Sequence, residues 1–290
     1  MRISDCQFIA RLLNHYCNAV VTPETFHYES FYDWYKGIQN GEVADRKVER
    51  IASELEDDIA DPMLNFNLFF NQLLAQLLRR WYPEVSLDRG LPRSHAKFLD
   101  LVAELGRSYV LHFHSLNHDL FFESLRSTVA MTRQFADGFS DLGSCYFGKF
   151  RDVEETDTGR DSYSYTVRLP RFVDKYESRF NLYKLHGSVD QYTDQKGDET
   201  AFKGKRNIGV TDFIKELNEE GRLFYESLNC IYHPDFLAGI SYKTSRYGLT
   251  PYYRAVFEHF RNNLESSASL IVIGYGFGDI KINSMISEHF

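Results

Sequence analysis

The feature of the sequence that most constrains the fold is a short apolar run near its end, residues 269–273 (SLIVI). A run of this length without polar alternation is typical of a strand that is buried on both faces of a parallel sheet. A glycine-rich segment follows it directly, residues 274–279 (GYGFGD). Glycine lets the backbone turn sharply and approach a ligand closely. The pattern therefore predicts an α/β fold with a candidate ligand-binding turn at the carboxyl end of this strand.

Two further predicted strands also end in polar clusters. Residues 108–115 (SYVLHFHS) alternate in polarity and are rich in β-forming side chains, and they lead into residues 117–119 (NHD). Residues 179–185 (RFNLYKL) give the second strand pattern, which ends at residues 186–188 (HGS). Ligands of open parallel sheets bind beyond the carboxyl ends of the strands. We therefore expect the three clusters, which begin at residues 117, 186 and 274, to converge on one site.

The rest of the chain is mainly helical in pattern before residue 106 and mixed after it. Apolar spacing predicts helices at residues 9–16, 43–55, 64–81, 94–105, 211–224 and 252–265. Gly106 should follow the fourth of these, residues 137–163 should form loops and short strands, and residues 191–206 a polar loop. The predicted class is α/β: a Rossmann-like, mostly parallel sheet with helices on both faces and a large helical insertion. Residues 1–91 would form the helical part and residues 92–290 the core.

Composition argues against several classes of protein. The 290 residues carry a net charge of −8 and no basic stripe, so direct nucleic-acid binding is not expected. The four cysteines form no C-x-x-C pair, so we expect reduced thiols and no zinc. The sequence has no signal-peptide pattern and no apolar run close to the ~20 residues of a membrane span. These features predict a soluble, cytoplasmic protein.

The residue types leave two interpretations open at each cluster. Asn117 and Asp119 can hold a ribose or an amide through paired hydrogen bonds, or they can cap the helix that follows. His186 can act as a general base near neutral pH, or it can be a structural residue at a strand end. The glycines of residues 274–279 can bind an anion through free amides, or they can form an ordinary tight turn. The aromatic run at residues 26–35 (FHYESFYDWY) has little positive charge nearby, so we expect core packing rather than base stacking.

Taken in order, four segments resemble the sirtuin family, and in particular its divergent bacterial branch. Residues 92–106 (PRSHAKFLDLVAELG) are similar to the family's Pro-x-x-Ala-His helix, although His95 here precedes Ala96. The other segments are residues 115–119 (SLNHD), similar to Thr-Gln-Asn-x-Asp; residues 185–188 (LHGS), which match Leu-His-Gly-Ser; and residues 270–279 (LIVIGYGFGD) with Asn283, similar to Ile-Gly-Tyr-Ser-Phe-x-Asp. The resemblance covers residues 92–283.

The resemblance implies an NAD hydrolase, which breaks the bond between nicotinamide and ribose and releases ADP-ribose. Asn117 and Asp119 would hold the nicotinamide ribose and the attacking water, and His186 would be the general base. Loss of nicotinamide builds positive charge on the ribose, and a nearby carboxylate stabilises that charge. The positions that would bind the rest of the dinucleotide are Ser115, Gly187, Ser188, Gly274, Tyr275, Gly276, Asp279 and Asn283.

The sequence also departs from the family. The zinc-binding cysteines of deacetylating sirtuins do not occur, which favours NAD hydrolysis over the alternative of an NAD-dependent protein deacylase. The family's first strand and its Gly-Ala-Gly-x-Ser loop, which cradles the pyrophosphate, are not found in this sequence. We expect either a piece of a longer protein or a chain whose cofactor site has lost a part. The second case would give an inactive module that binds NAD or ADP-ribose and regulates a partner.

Partners are implied by the same resemblance. Members of the divergent branch act in antiphage defence and commonly assemble into oligomers, some of them with an ATPase. By this analogy we expect NAD as substrate, a homo-oligomer, and a HerA-like ATPase or another defence protein as a candidate partner. No membrane partner is expected.

Overall fold

The structure, a computed structural model, is of mixed α/β class and contains seven helices among the residues that it describes. Those residues are 3–21, 26–55, 66, 70–71, 73–74, 96–124, 134–156, 159–194, 199–204, 210–219, 221–228, 237 and 250–290. The helices are α1 (Ile3–Ala19), α2 (Tyr28–Gln39), α3 (Arg46–Ser53), α4 (Ala96–Ser108), α5 (Phe121–Ser124), α6 (Pro251–Ser266) and α7 (Ile280–His289).

The strands form one parallel sheet and two antiparallel sheets. They are β1 (Leu111–Ser115), β2 (Phe135–Ala136), β3 (Phe139–Ser140), β4 (Tyr146–Thr156), β5 (Gly159–Arg168), β6 (Arg171–Phe172), β7 (Phe180–Lys184), β8 (Gln191–Thr193), β9 (Ala201–Lys203), β10 (Val210–Glu219) and β11 (Arg222–Ser227). The parallel sheet has the order β1-β7-β2. The antiparallel sheets have the orders β11-β10-β4-β5 and β3-β6-β9-β8.

The chain divides into two compact units. The first comprises residues 1–76, 237–249 and 261–290, and the second comprises residues 77–236 and 250–260. In the first unit, aromatic side chains of α2 form the centre of the core: Phe31 and Tyr35 are fully buried, and the Tyr35 ring stacks on Phe66 at 3.8 Å. The core-packing interpretation of residues 26–35 is therefore confirmed for the buried rings.

Helix α4 and strand β7 pack closely in the second unit. Every residue of β7 is buried, as expected for a central strand of a covered parallel sheet. Gly106 lies within α4, and a Cβ at this position would come within 2.3 Å of the Phe180 ring. The glycine therefore allows the helix to approach the strand. The prediction that Gly106 follows the helix is wrong, because α4 continues to Ser108.

Several predicted elements agree with the structure. The strand patterns at residues 108–115 and 179–185 correspond to β1 and β7, and the helix pattern at residues 252–265 corresponds to α6. The mixed α/β class is confirmed, although the parallel sheet has three strands and the other strands are antiparallel. Residues 92–95 and most of residues 64–81 lie outside the described residues.

Three other predictions are wrong. Residues 211–224 form parts of β10 and β11 rather than a helix, because Gly221, at φ +80°, closes a hairpin between them. The predicted loop at residues 191–206 contains β8 and β9. Residues 269–273 form no strand, and Leu270, Ile271, Val272 and Ile273 are 36–69% exposed instead of buried. An apolar run becomes a buried strand only where neighbouring strands pair with it.

Among the described residues, no helix combines the length and the apolar character that crossing a bilayer requires.

Candidate functional site

The parallel pair β1–β7 positions two polar loops at the same edge of its sheet. Ser115, at the end of β1, is paired in register with Lys184, at the end of β7. The main-chain oxygen of Ser115 accepts a hydrogen bond from the N–H of Leu185 at 3.0 Å. The main-chain oxygen of His118 accepts one from Val189 at 2.9 Å. Because these two bonds tie the loops together, the first two of the three predicted clusters are neighbours.

The loop after β1 presents an amide and a carboxylate. Asn117 is exposed, and its main-chain N–H donates to the hydroxyl of Ser115 at 3.2 Å. Asp119 is half-buried, and its Oδ1 accepts a hydrogen bond from the N–H of Phe121 at 2.9 Å. Asp119 therefore accepts the first main-chain N–H of α5, a structural contact of the kind that the capping interpretation describes. This hydrogen bond orients the Asp119 carboxylate within the loop that also carries the exposed Asn117.

The loop after β7 presents a buried imidazole. His186 and His118 are both buried, and their ring centroids lie 6.2 Å apart. Gly187 has φ +75°, and its N–H donates to the main-chain oxygen of Lys184 at 3.0 Å. Glycine adopts this left-handed conformation without the strain that a side chain would cause. The turn thus holds an imidazole that is shielded from bulk water beside the loop that carries Asn117.

A cluster of buried charges joins the two loops. Lys184 Nζ donates a hydrogen bond to the main-chain oxygen of Asp119 and lies 3.8 Å from Glu123 Oε2. Lys203 Nζ lies 3.6 Å from Glu123 Oε1 and 2.8 Å from Asp137 Oδ2. Buried charges that lose a partner are strongly destabilising. Because Lys184 contacts both the Asn117 loop and Glu123, the position of that loop depends on the charges of this cluster.

Carboxyl groups outnumber amino groups in the cluster, since Asp190 is a third carboxyl group beside those of Glu123 and Asp137. Ser188 Oγ donates to Asp190 Oδ1 at 2.5 Å. Burial raises the pKa of Glu123, and Asp190 raises it further, while Lys184 and Lys203 oppose the shift. Burial lowers the pKa of Lys203, but the carboxylates of Asp137, Asp190 and Glu123 outweigh it and raise that pKa overall. Lys203 is therefore a permanent cation of the cluster.

Lys184, Glu123 and His118 were not among the predicted site residues, although the first two have a signal in the sequence. Lys184 stands in the apolar run of β7, and Glu123 stands in a short apolar stretch at residues 120–125. A charge in such a run must be paired when the run is buried. His118 occupies the variable position of the Asn-x-Asp pattern, where no residue type is expected.

The third predicted cluster belongs to the first unit, whereas the two loops above belong to the second. Asp279 Oδ1 accepts hydrogen bonds from two main-chain N–H groups in the first turn of α7, at 3.0 and 3.2 Å. The hydroxyl of Tyr275 donates to Asn283 Oδ1 at 2.8 Å, and Asn283 Nδ2 donates to the main-chain oxygen of Phe277 at 2.8 Å. Gly274, at φ +65°, opens this turn, and Gly276 is exposed within it. These contacts describe a closed, helix-capping turn, and the role of Gly274 in binding stays a prediction.

Within the described part of the chain, no three His, Cys, Asp or Glu side chains are arranged as a metal site. The predicted site residues thus fall into two groups, the neighbouring loops of Ser115–Asp119 and His186–Ser188 and the separate turn of residues 274–283. Comparison with models of protein families found no match to this chain, and a search of curated proteins found no relative either.

Proposed function

We propose that the chain is an NAD glycohydrolase, which cleaves the bond between nicotinamide and ribose and releases ADP-ribose and nicotinamide. The observation that supports this proposal is the junction of the two loops after β1 and β7. The hydrogen bond from Val189 to His118 places the loop of Asn117 beside the loop of His186. A Rossmann-like organisation is part of the same proposal, and Gly274, Tyr275, Gly276, Asp279 and Asn283 stay candidate residues for binding NAD.

The residue types at this junction suit the chemistry. Breaking the glycosidic bond leaves positive charge on the ribose, which the carboxylate of Asp119 and the oriented amide of Asn117 would stabilise. His186 would accept a proton from a ribose hydroxyl or from the attacking water. Its burial keeps bulk water away from that proton transfer. Ser115, Gly187 and Ser188 would line the ribose side of the same edge.

The test is nicotinamide release from NAD by the purified chain, measured by chromatography. We expect Asn117→Ala and His186→Ala each to abolish release while the circular dichroism spectrum stays that of the wild type. Matched controls are Asn262→Ala, at an exposed position of α6, and His289→Ala, whose ring is hydrogen-bonded to Glu265. Both controls should keep wild-type activity.

Other outcomes separate the alternative functions. If the chain deacylates an acetylated peptide and consumes NAD in proportion, its function is that of a deacylase and not of a hydrolase. Tight binding of ADP-ribose in calorimetry without any nicotinamide release would make the chain a regulatory binding module. Full activity in either the Asn117 or the His186 variant would remove the role assigned to that residue.

The resemblance to the divergent bacterial branch extends the proposal to biology. We place the activity in the cytoplasm and in antiphage defence, with a homo-oligomer as the working form and a HerA-like ATPase or another defence protein as partner. Loss of cellular NAD during phage infection, in cells that express the wild type but not His186→Ala, is the corresponding test in vivo.

A further inference from the structure

Strand β11 has an exposed apolar stretch at an edge of its sheet. Within the part of the chain that the structure describes, β11 pairs with β10 alone and ends the order β11-β10-β4-β5. Leu223, Phe224 and Tyr225 are 59%, 47% and 60% exposed. Natural proteins usually protect an edge strand with prolines or bulges, or cover it, because its free backbone groups can pair with another strand. β11 contains no proline.

The hydrogen-bond pattern determines which backbone groups of β11 face outward. Glu219 and Arg222 are opposite each other and close the hairpin of β10 and β11. At the other end, the N–H of Leu228 donates to Phe213 at 2.9 Å. Because hydrogen-bonded positions alternate along an antiparallel pair, even-numbered residues of β11 bond to β10. The N–H and C=O groups of residues 223, 225 and 227 therefore point to the open edge.

The sequence of this stretch, residues 222–226 (RLFYE), is complementary to itself in the antiparallel direction. When two copies pair about Phe224, Arg222 of each copy lies opposite Glu226 of the other. Leu223 lies opposite Tyr225, and Phe224 lies opposite its own equivalent. This register also brings the outward groups of residues 223 and 225 opposite each other, as an antiparallel ladder requires. Registers centred one residue away on either side lose both charge pairs.

We propose that β11 is a homodimer interface, in which the β11 strands of two copies pair antiparallel about Phe224. The contact is isologous, with a two-fold axis at Phe224, and it closes, so it yields a dimer rather than a filament. It joins the four-stranded sheets of two copies into one continuous sheet. Opposite-charge and apolar cross-strand pairs stabilise such a ladder. The inference is independent of the proposed activity, because it uses no residue of the candidate site.

The first test is sedimentation of the full chain over a concentration series from about 1 to about 100 µM. We expect a monomer–dimer equilibrium for the wild type. Arg222→Glu and Glu226→Arg should each weaken dimerisation by about tenfold or more, because each change places like charges opposite each other twice per dimer. An equimolar mixture of the two variants should recover the dimer, since every charge pair is again of opposite sign. Circular dichroism first establishes that both variants keep the wild-type spectrum.

The second test uses cysteines, and its key variant, Phe224→Cys, alters no charge between β10 and β11. In a non-hydrogen-bonded antiparallel pair the two Cα atoms at the axis lie about 4.5 Å apart, which is within the range of a disulfide. Phe224→Cys should therefore give a disulfide-linked dimer under mild oxidation. The matched control is Glu226→Cys on the same face, whose equivalents would be about 13 Å apart along the ladder. Wild type, with its own cysteines, sets the background.

A wild type that sediments as a monomer over the whole series would overturn the proposal. So would single charge reversals that dimerise like the wild type, a mixture that fails to recover the dimer, or a Phe224→Cys chain that cross-links no more than Glu226→Cys. If a variant loses the dimer but releases nicotinamide at the wild-type rate per chain, the interface is still supported. The dimer is then independent of the proposed activity.

Discussion

The ammonium group of Lys184, at the end of β7, donates a hydrogen bond to the main-chain oxygen of Asp119, in the loop after β1. The same group lies 3.8 Å from the carboxylate of Glu123, and Lys184 is almost completely buried. The link is polar and lies in the interior, where water cannot replace a lost partner. The candidate site therefore depends on a charge that is not itself among the predicted site residues.

Lys184→Met should lower the free energy of unfolding by about 3 kcal/mol, because it leaves the carboxylate of Glu123 short of a buried partner. Urea unfolding measures this loss. Lys175→Met, at an exposed position, is the matched control and should change stability by less than about 0.5 kcal/mol. The double variant Lys184→Met/Glu123→Gln should recover part of the loss. Equal stabilities of Lys184→Met and Lys175→Met would contradict the buried link.

Gly106→Ala should destabilise the chain by about 1 kcal/mol, even though alanine is the better helix former. The added methyl group would meet the Phe180 ring at 2.3 Å in a packed core. Gly37, in α2, is the matched control, because its added Cβ would have its nearest neighbour at 3.5 Å. Gly37→Ala should therefore leave thermal stability unchanged or raise it. If both substitutions stabilise, the close approach of α4 to β7 is wrong.

The stability of the second unit should fall as the pH decreases below about 6.5. His114 stacks on Tyr183 at 4.6 Å and contacts Phe260, and burial lowers its pKa to about 3, with His112 and His259 adding repulsion. Since the folded pKa is lower than the unfolded one, protons bind preferentially to the unfolded chain. The contribution of the neutral His114 ring to the free energy of unfolding is complete above about pH 6.5 and is lost progressively toward pH 3.

Urea unfolding at about pH 7.5 and about pH 5.5 should differ by roughly 1 kcal/mol from this group alone. The other ionisable groups around His114 are His112, Tyr176, Tyr183 and the pair of His259 with Asp174, whose atoms lie 2.8 Å apart. His114→Phe keeps an aromatic ring against Tyr183 and removes the titration. The pH difference should become smaller in that variant, and an unchanged difference would assign the effect to another group.

Substitution of Ile271 or Ile273 by serine should change the free energy of unfolding by less than about 0.5 kcal/mol. These side chains are 65% and 69% exposed. Ile282→Ala is the control in the same unit: its side chain is buried, and its loss should cost about 2–5 kcal/mol. A large loss on substitution of Ile271 would instead mean that residues 269–273 are buried, as their pattern predicts.

The contrast between β7 and residues 269–273 shows which part of the fold could be predicted. Both segments are short stretches rich in β-forming side chains that end in a glycine-containing cluster, and local sequence does not show which of them pairs with other strands. β7 is buried because β1 and β2 pair with it on both sides. Such pairing depends on residues far away in the sequence, so the run shows only the capacity for burial. The neighbouring loops of Asn117 and His186 were predictable, because their strands do pair.

The hairpin of β10 and β11 was not predictable from apolar spacing. Phe213, Ile214 and Leu217 fit one face of a helix as well as they fit a strand. The segment forms a hairpin because Gly221 makes the turn and β10 pairs with β4. The buried charges were missed for a related reason: Lys184 and Glu123 are distant in the chain, and nothing local shows that one neutralises the other.

The ladder between β1 and β7 begins where Leu111 is paired with Phe180, positions about 70 residues apart. The intervening chain, which contains β2 to β6, must loop back for the two ends to meet. Contacts between such distant positions form slowly, because the entropy lost on closing the loop precedes any gain from pairing. On the ribosome, this edge of the sheet can form only after Lys184 has left the exit tunnel. The proposed NAD hydrolysis would therefore have to wait until both strands have emerged and paired.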